Sequence, residues 1–220
     1  MKNLMGILLV LGCGSVQAAS LTLDALESGW ISENAGINYF PNVPTSENYI
    51  VGWSLSTEWR NWFVFDLAGV TDEITSATLK IFNPLETGYV SVDASETYEL
   101  FSYESSVSDL RLENGLGDFD DLGDGTSYGQ VVVSAQDNGT LVEIQLNQAG
   151  ITALNSASGE FAIGGAVTTL GFGSGDQERI FRNTDAGMTR QLELTLVPIP
   201  AAAWLFGSGL VMLGWFRRQA

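Results

Sequence analysis

The chain contains no histidine, and its single cysteine is Cys13. Without an imidazole base, Ser-His-Asp and Cys-His triads are excluded, and so are the usual His-containing zinc sites. One cysteine cannot close an internal disulfide. Cations are scarce as well. Nine Lys and Arg stand against 26 Asp and Glu, a net charge of −17. Between the two ends the only cations are Arg60, Lys80, Arg111, Arg179, Arg182 and Arg190, whereas every acidic residue lies there. Such a surface repels nucleic acid and anionic lipid headgroups and attracts divalent cations. No P-loop or dinucleotide fingerprint occurs. The glycine-rich stretch Gly171 to Gly175 lacks a lysine and runs into Asp176, so it reads as a turn. Helical periodicity is rare and Gly is frequent, which points to an all-β fold.

What is present begins with a short basic and apolar leader. Lys2 supplies a positive start, Leu4 to Leu11 an apolar run, and Val16-Gln17-Ala18 a small-residue cleavage site. The pattern predicts a signal peptide over residues 1–18, removed together with Cys13. Val10-Leu11-Gly12 ahead of Cys13 is the alternative, a lipoprotein signal with a bulky residue before the glycine.

At the other end, Val197, Pro198, Ile199, Pro200 and Ala201 lead into an uncharged run from Pro200 to Phe216, stopped by Arg217 and Arg218. Roughly 17 helical residues span about 25 Å. Trp204 and Trp215 suit the two interfaces, and the arginines can snorkel to headgroups. This order of motif, apolar span and basic end resembles the C-terminal sorting signal of PEP-CTERM proteins in its VPLPA-CTERM variant. The resemblance covers residues 197–220 and departs from the strict motif, because no Glu follows Pro200. It implies an exosortase-type membrane protease as processing partner. It also implies a precursor anchored in the inner membrane of a Gram-negative bacterium, bound for the cell surface or extracellular matrix.

Residues 19–196 read as one acidic β-sandwich domain. Leu21 and Leu23 alternate with polar neighbours. Arg60 to Leu67 is the strongest strand: Phe63, Phe65 and Leu67 share one face, and Trp62 with Val64 makes the other face apolar too, as in a central strand. Further strands are expected at 75–82, 97–102, 129–134, 140–146, 161–163, 179–181 and 191–196. Asp137-Asn138-Gly139 signals a hairpin turn. Asn147 is the expected N-cap of one helix carrying Ile151 and Leu154. The Phe65-Asp66-Leu67 strand end, its turn and the strand Ile74 to Ile81 resemble the core hairpin of jelly-roll β-sandwich modules of bacterial surface and carbohydrate-binding proteins. The expected fold is therefore all-β and jelly-roll-like, flanked by a signal peptide and a C-terminal transmembrane helix.

Two features are candidates for chemistry. The stretch Gly117 to Gly125 reads as an acidic loop in which Asp118, Asp120, Asp121 and Asp124 offer hard oxygens to calcium, although Leu122 breaks EF-hand spacing. Trp30, Trp53, Trp59 and Trp62 cluster near Tyr39 and Tyr49. Trp62 belongs to the core, while Trp53 and Trp59 flank a polar loop and are candidates for stacking on sugar rings. The expected function is that of an exported, non-catalytic surface or matrix protein that binds extracellular polysaccharide. The alternatives are a glycoside hydrolase working with two carboxylates, and a purely structural surface protein.

Overall fold

The computed structural model describes residues 18–34, 37–38, 48–54, 57–111, 116–171, 177–182 and 187–197. Residues 1–17, including Cys13, and the sorting residues Pro198, Pro200, Ala201, Arg217 and Arg218 lie outside the described residues. Among the described residues twelve strands form two antiparallel sheets. They are β1 (Ala19–Asp24), β2 (Glu27–Ser32), β3 (Ile37–Asn38), β4 (Val51–Ser54), β5 (Thr57–Asp66), β6 (Glu73–Asn83), β7 (Ser95–Ser102), β8 (Ser127–Ser134), β9 (Thr140–Gln145), β10 (Glu160–Val167), β11 (Glu178–Ile180) and β12 (Arg190–Val197). The strands are interrupted by the α-helices α1 (Val107–Arg111), α2 (Leu116–Asp124) and α3 (Gln148–Ser156). One sheet has the order β1-β12-β6-β9; the other runs β11-β4-β5-β10-β7-β8, with β2 and β3 attached through β5.

The smaller sheet is built from strands that alternate cleanly. Leu79 and Ile81 of β6, Val142 and Ile144 of β9, and Leu192 and Leu194 of β12 are buried against the other sheet. Their wet faces carry Lys80, Glu143 and Glu193, and Lys80 Nζ bridges Glu193 at 2.6 Å and Glu143 at 3.4 Å. Half-buried Leu21 and Leu23 continue the pattern along β1.

At β5 the larger sheet is apolar on both faces because both are covered there. Phe63 and Phe65 of β5 join the core between the sheets. Trp62 and Val64 point the other way, where Leu110 of α1 and Phe119 and Leu122 of α2 close over them. Each such aromatic or aliphatic side chain contributes about 1.5–3 kcal/mol by leaving water. Gly164 of β10 is what lets α2 approach: a Cβ there would stand 2.7 Å from the Leu122 carbonyl oxygen. The helix expected after Asn147 is α3, with Asn147 Oδ1 accepting from the N–H of Ala149 (2.9 Å) and Gly150 (3.1 Å), and Ile151 and Leu154 buried.

Two local expectations change. The Asp137-Asn138-Gly139 turn joins β8 to β9, but β8 pairs with β7 and β9 with β6, so it is a crossover between sheets, not a hairpin. The β5–β6 segment is likewise an arch: β5 lies in one sheet and β6 in the other. The turn chemistry of Asp137-Asn138-Gly139 and the resemblance of the β5–β6 segment to a hairpin fix a reversal of direction, but not the sheet each strand joins. Among the described residues no helix is long and apolar enough to cross a membrane.

Candidate functional site: an indole stack beside an unpaired arginine

β5 organises the site. At Trp59 its partners are Ser32 of β2 and Gly52 of β4, which therefore flank it on opposite edges. β4 in turn pairs with β11, with Gly52 opposite Arg179 and Trp53 opposite Glu178. Residues directly opposite in an antiparallel ladder share a face, and neighbours along a strand alternate. Trp59, Gly52 and Arg179 thus lie on one face, and Trp53, Glu58 and Glu178 on the other. Trp53 and Trp59, the two candidates for stacking on sugar, therefore lie on opposite faces. Trp59 stacks on Trp30 of β2, with ring centroids 5.3 Å apart and planes 17° from parallel.

Trp30, Trp59, Ile50, Ser54, Arg179 and Arg182 line a cavity of about 210 Å³. Gly52 holds the strands this close: its φ is +108°, and a Cβ would meet the Glu178 carbonyl oxygen at 2.1 Å. Arg179 is 9 % exposed. Its Nη1 donates to Ser54 Oγ at 3.0 Å and to Gln177 Oε1, and its Nε is buried without a partner. The indole Nε1 of Trp30 is a second buried donor without one. Burial, and then the charge of Arg182, pushes the Arg179 guanidinium below its ordinary pKa. Three of the other cations are neutralised by carboxylates: Arg60 by Glu58, Lys80 by Glu193 and Glu143, Arg111 by Glu27 and Glu160. Among the described residues Arg179 and Arg182 have no carboxylate within ion-pair distance.

On the opposite face of β11, carboxylate oxygens of Asp93, Glu96 and Glu178 lie within 4.8 Å of one another. Glu96 and Glu178 are buried. Ser91 Oγ and Thr169 Oγ1 donate to the two oxygens of Glu96 at 2.7 and 2.5 Å, and the Gly171 N–H donates to Glu178 at 2.6 Å. An all-oxygen set of this kind suits a hard cation, but hydroxyl donors already serve both oxygens of Glu96. Burial of Tyr89, offset by its Ser91 bond and reinforced by the three carboxylates, raises the Tyr89 phenol pKa.

The expected calcium loop is helix α2. At about 100° per residue its Asp118, Asp120, Asp121 and Asp124 spread over roughly 160° of the helix circumference. Asp118 Oδ1 accepts from the Tyr103 hydroxyl at 2.7 Å. Asp121 accepts from the N–H groups of Glu104 (3.0 Å) and Ser105 (2.8 Å). These two carboxylates therefore fasten α2 to the chain after β7 and do not converge with the other two. The helix forms against local propensity because Phe119 and Leu122 are buried under Trp62 and Arg60 lies 4.2 Å over the Phe119 ring.

Sequence reasoning missed the Arg179 pocket and the Asp93–Glu96–Glu178 group. A usable signal for the first was the rarity of cations in so acidic a domain. No protein-family model matches the chain, and no curated protein sequence matches it.

Proposed function

We propose that the protein is an exported, non-catalytic surface or matrix protein of a Gram-negative bacterium, whose jelly-roll-like sandwich binds extracellular polysaccharide. The leader directs export, and the segment after Val197 anchors the precursor in the inner membrane until an exosortase-type protease removes it. One observation carries this reading. Ala19, the first residue after the proposed leader cut, pairs with Leu196, the last buried side chain before the sorting motif. Both removable segments therefore join the domain side by side, at the ends of two neighbouring strands. Cutting at either junction removes no core side chain of the described domain.

The stacked indoles supply the sugar platform, since an aromatic face packs well on the C–H face of a sugar ring. The hydrolase reading is weaker. It needs two carboxylates facing a cleft about 5 Å or more apart, and in the close group Asp93–Glu96–Glu178 the two glutamates are buried and hydrogen-bonded. The test is fractionation of cells expressing the wild type and a P198A/P200A variant alongside the protease. Release of the wild type with the variant held in the membrane fraction supports the proposal. Equal distribution of the two defeats it.

A further inference from the structure

We infer that the cavity between the Trp30–Trp59 stack and Arg179 is a subsite for a sugar unit bearing an anionic substituent, a carboxylate or a sulfate ester. The inference rests on the polysaccharide-binding reading and names the ligand class. Its first support is the charge. In a domain where acids greatly outnumber cations, two arginines meet at one cavity, and among the described residues no carboxylate pairs with either. A buried guanidinium is costly unless an anion faces it, and Arg179 is nine-tenths buried with Nε unserved. Its described partners, Ser54 and Gln177, are neutral.

The second support is the shape of the donor set. Trp30 Nε1 and Arg179 Nε are both donors lacking an acceptor. A neutral sugar hydroxyl could serve one of them, but a planar carboxylate or a sulfate brings several acceptor oxygens and the missing charge together. The third is size. At about 210 Å³ the cavity has room for one sugar ring, not a chain segment. The ring lies against the indole stack and its acid group reaches the guanidinium. The acidic surround is no obstacle at ordinary ionic strength, because charges beyond about 10 Å are screened. A local ion pair in the cavity is not.

The test uses the full-length chain in a neutral detergent on an array of uronate, sulfated and neutral oligosaccharides, with carboxyl-reduced uronates as the matched control. The expected result is binding to an anionic class about tenfold or more tighter than to its neutral counterpart, a charge-assisted contact. The uronate and sulfate arms then tell which acid group is read. Equal binding to charged and reduced forms overturns the anionic assignment and leaves the polysaccharide reading standing. Binding to no sugar overturns both. The exposed variant R182Q should lower the anionic preference severalfold, and R179Q should abolish it while tryptophan emission shows an intact fold. If R179Q misfolds, R182Q and the carboxyl-reduced control still decide. Full preference in R182Q and in a folded R179Q would place the anion elsewhere.

Discussion

Trp30 and Trp59 are diagonal neighbours across β2 and β5, and their stack forms one wall of the cavity that Arg179 closes from β11. Trp53, although closer in sequence to Trp59, sits on the far face of the same sheet. The two tryptophans singled out together in the sequence should therefore behave differently. W59A is expected to weaken oligosaccharide binding about tenfold or more, whereas W53A stays within about twofold of wild type. Calorimetric titration of both variants checks this. Equal losses would mean that the sugar contacts the opposite face.

Gly52 is fixed by close backbone approach. Its left-handed φ, and the Glu178 carbonyl oxygen that an added Cβ would meet at 2.1 Å, leave no room for a side chain. G52A should cost about 1–3 kcal/mol, read as a lower urea midpoint, by parting β4 from β11. Because that also displaces Arg179, the variant should lose sugar binding beyond its loss of stability.

A buried polar chain crosses the inner face of the larger sheet. The Tyr98 hydroxyl donates to Asn61 Oδ1 at 2.8 Å, and Asn61 Nδ2 donates to the Tyr49 carbonyl at 2.9 Å. Burial raises the Tyr98 pKa far above its ordinary value, so the phenol stays a donor at any working pH. Y98F leaves the Asn61 oxygen buried and unserved. The expected loss is about 1–3 kcal/mol in equilibrium unfolding, although the substitution removes only one atom.

Acid should loosen the anchor of α1. Arg111 holds Glu160 through paired hydrogen bonds of 2.8 and 2.9 Å, and this contact lowers the Glu160 pKa. A carboxylate whose folded pKa is depressed adds stability above its unfolded value, near pH 4.3, and loses it as pH falls through the folded value. Urea midpoints measured from pH 6 downward should therefore decline less steeply in E160Q than in wild type below about pH 4.3. Superimposable curves would show that the pair does not matter to stability.

Much of the fold was legible because alternation reports burial directly. β6, β9 and β12 follow from their apolar periodicity, β5 from its apolar run, and α3 from Asn147 with Ile151 and Leu154. Sheet membership was not legible: Asn138-Gly139 announces a reversal, yet only packing decides that β8 and β9 part company. Helix α2 was hidden for a similar reason. Its aspartates and glycines favour a loop, and it takes distant Trp62 and Arg60 to make burial of Phe119 and Leu122 outweigh that preference. The candidate site was half visible. The tryptophans stood out by composition, but the partnership of Trp59 with Trp30 depends on β2 aligning beside β5, and Arg179 arrives from a strand far along the chain.

The central claim is that residues 19–196 are the working domain and that what lies on either side is a removable address. Intact-mass measurement of the protein recovered from outside cells that carry the processing protease tests it most directly. The account predicts a species beginning at Ala19 and ending within the stretch from Val197 to Ala201. Recovery of a species that still carries the segment through Arg217 and Arg218 would contradict it.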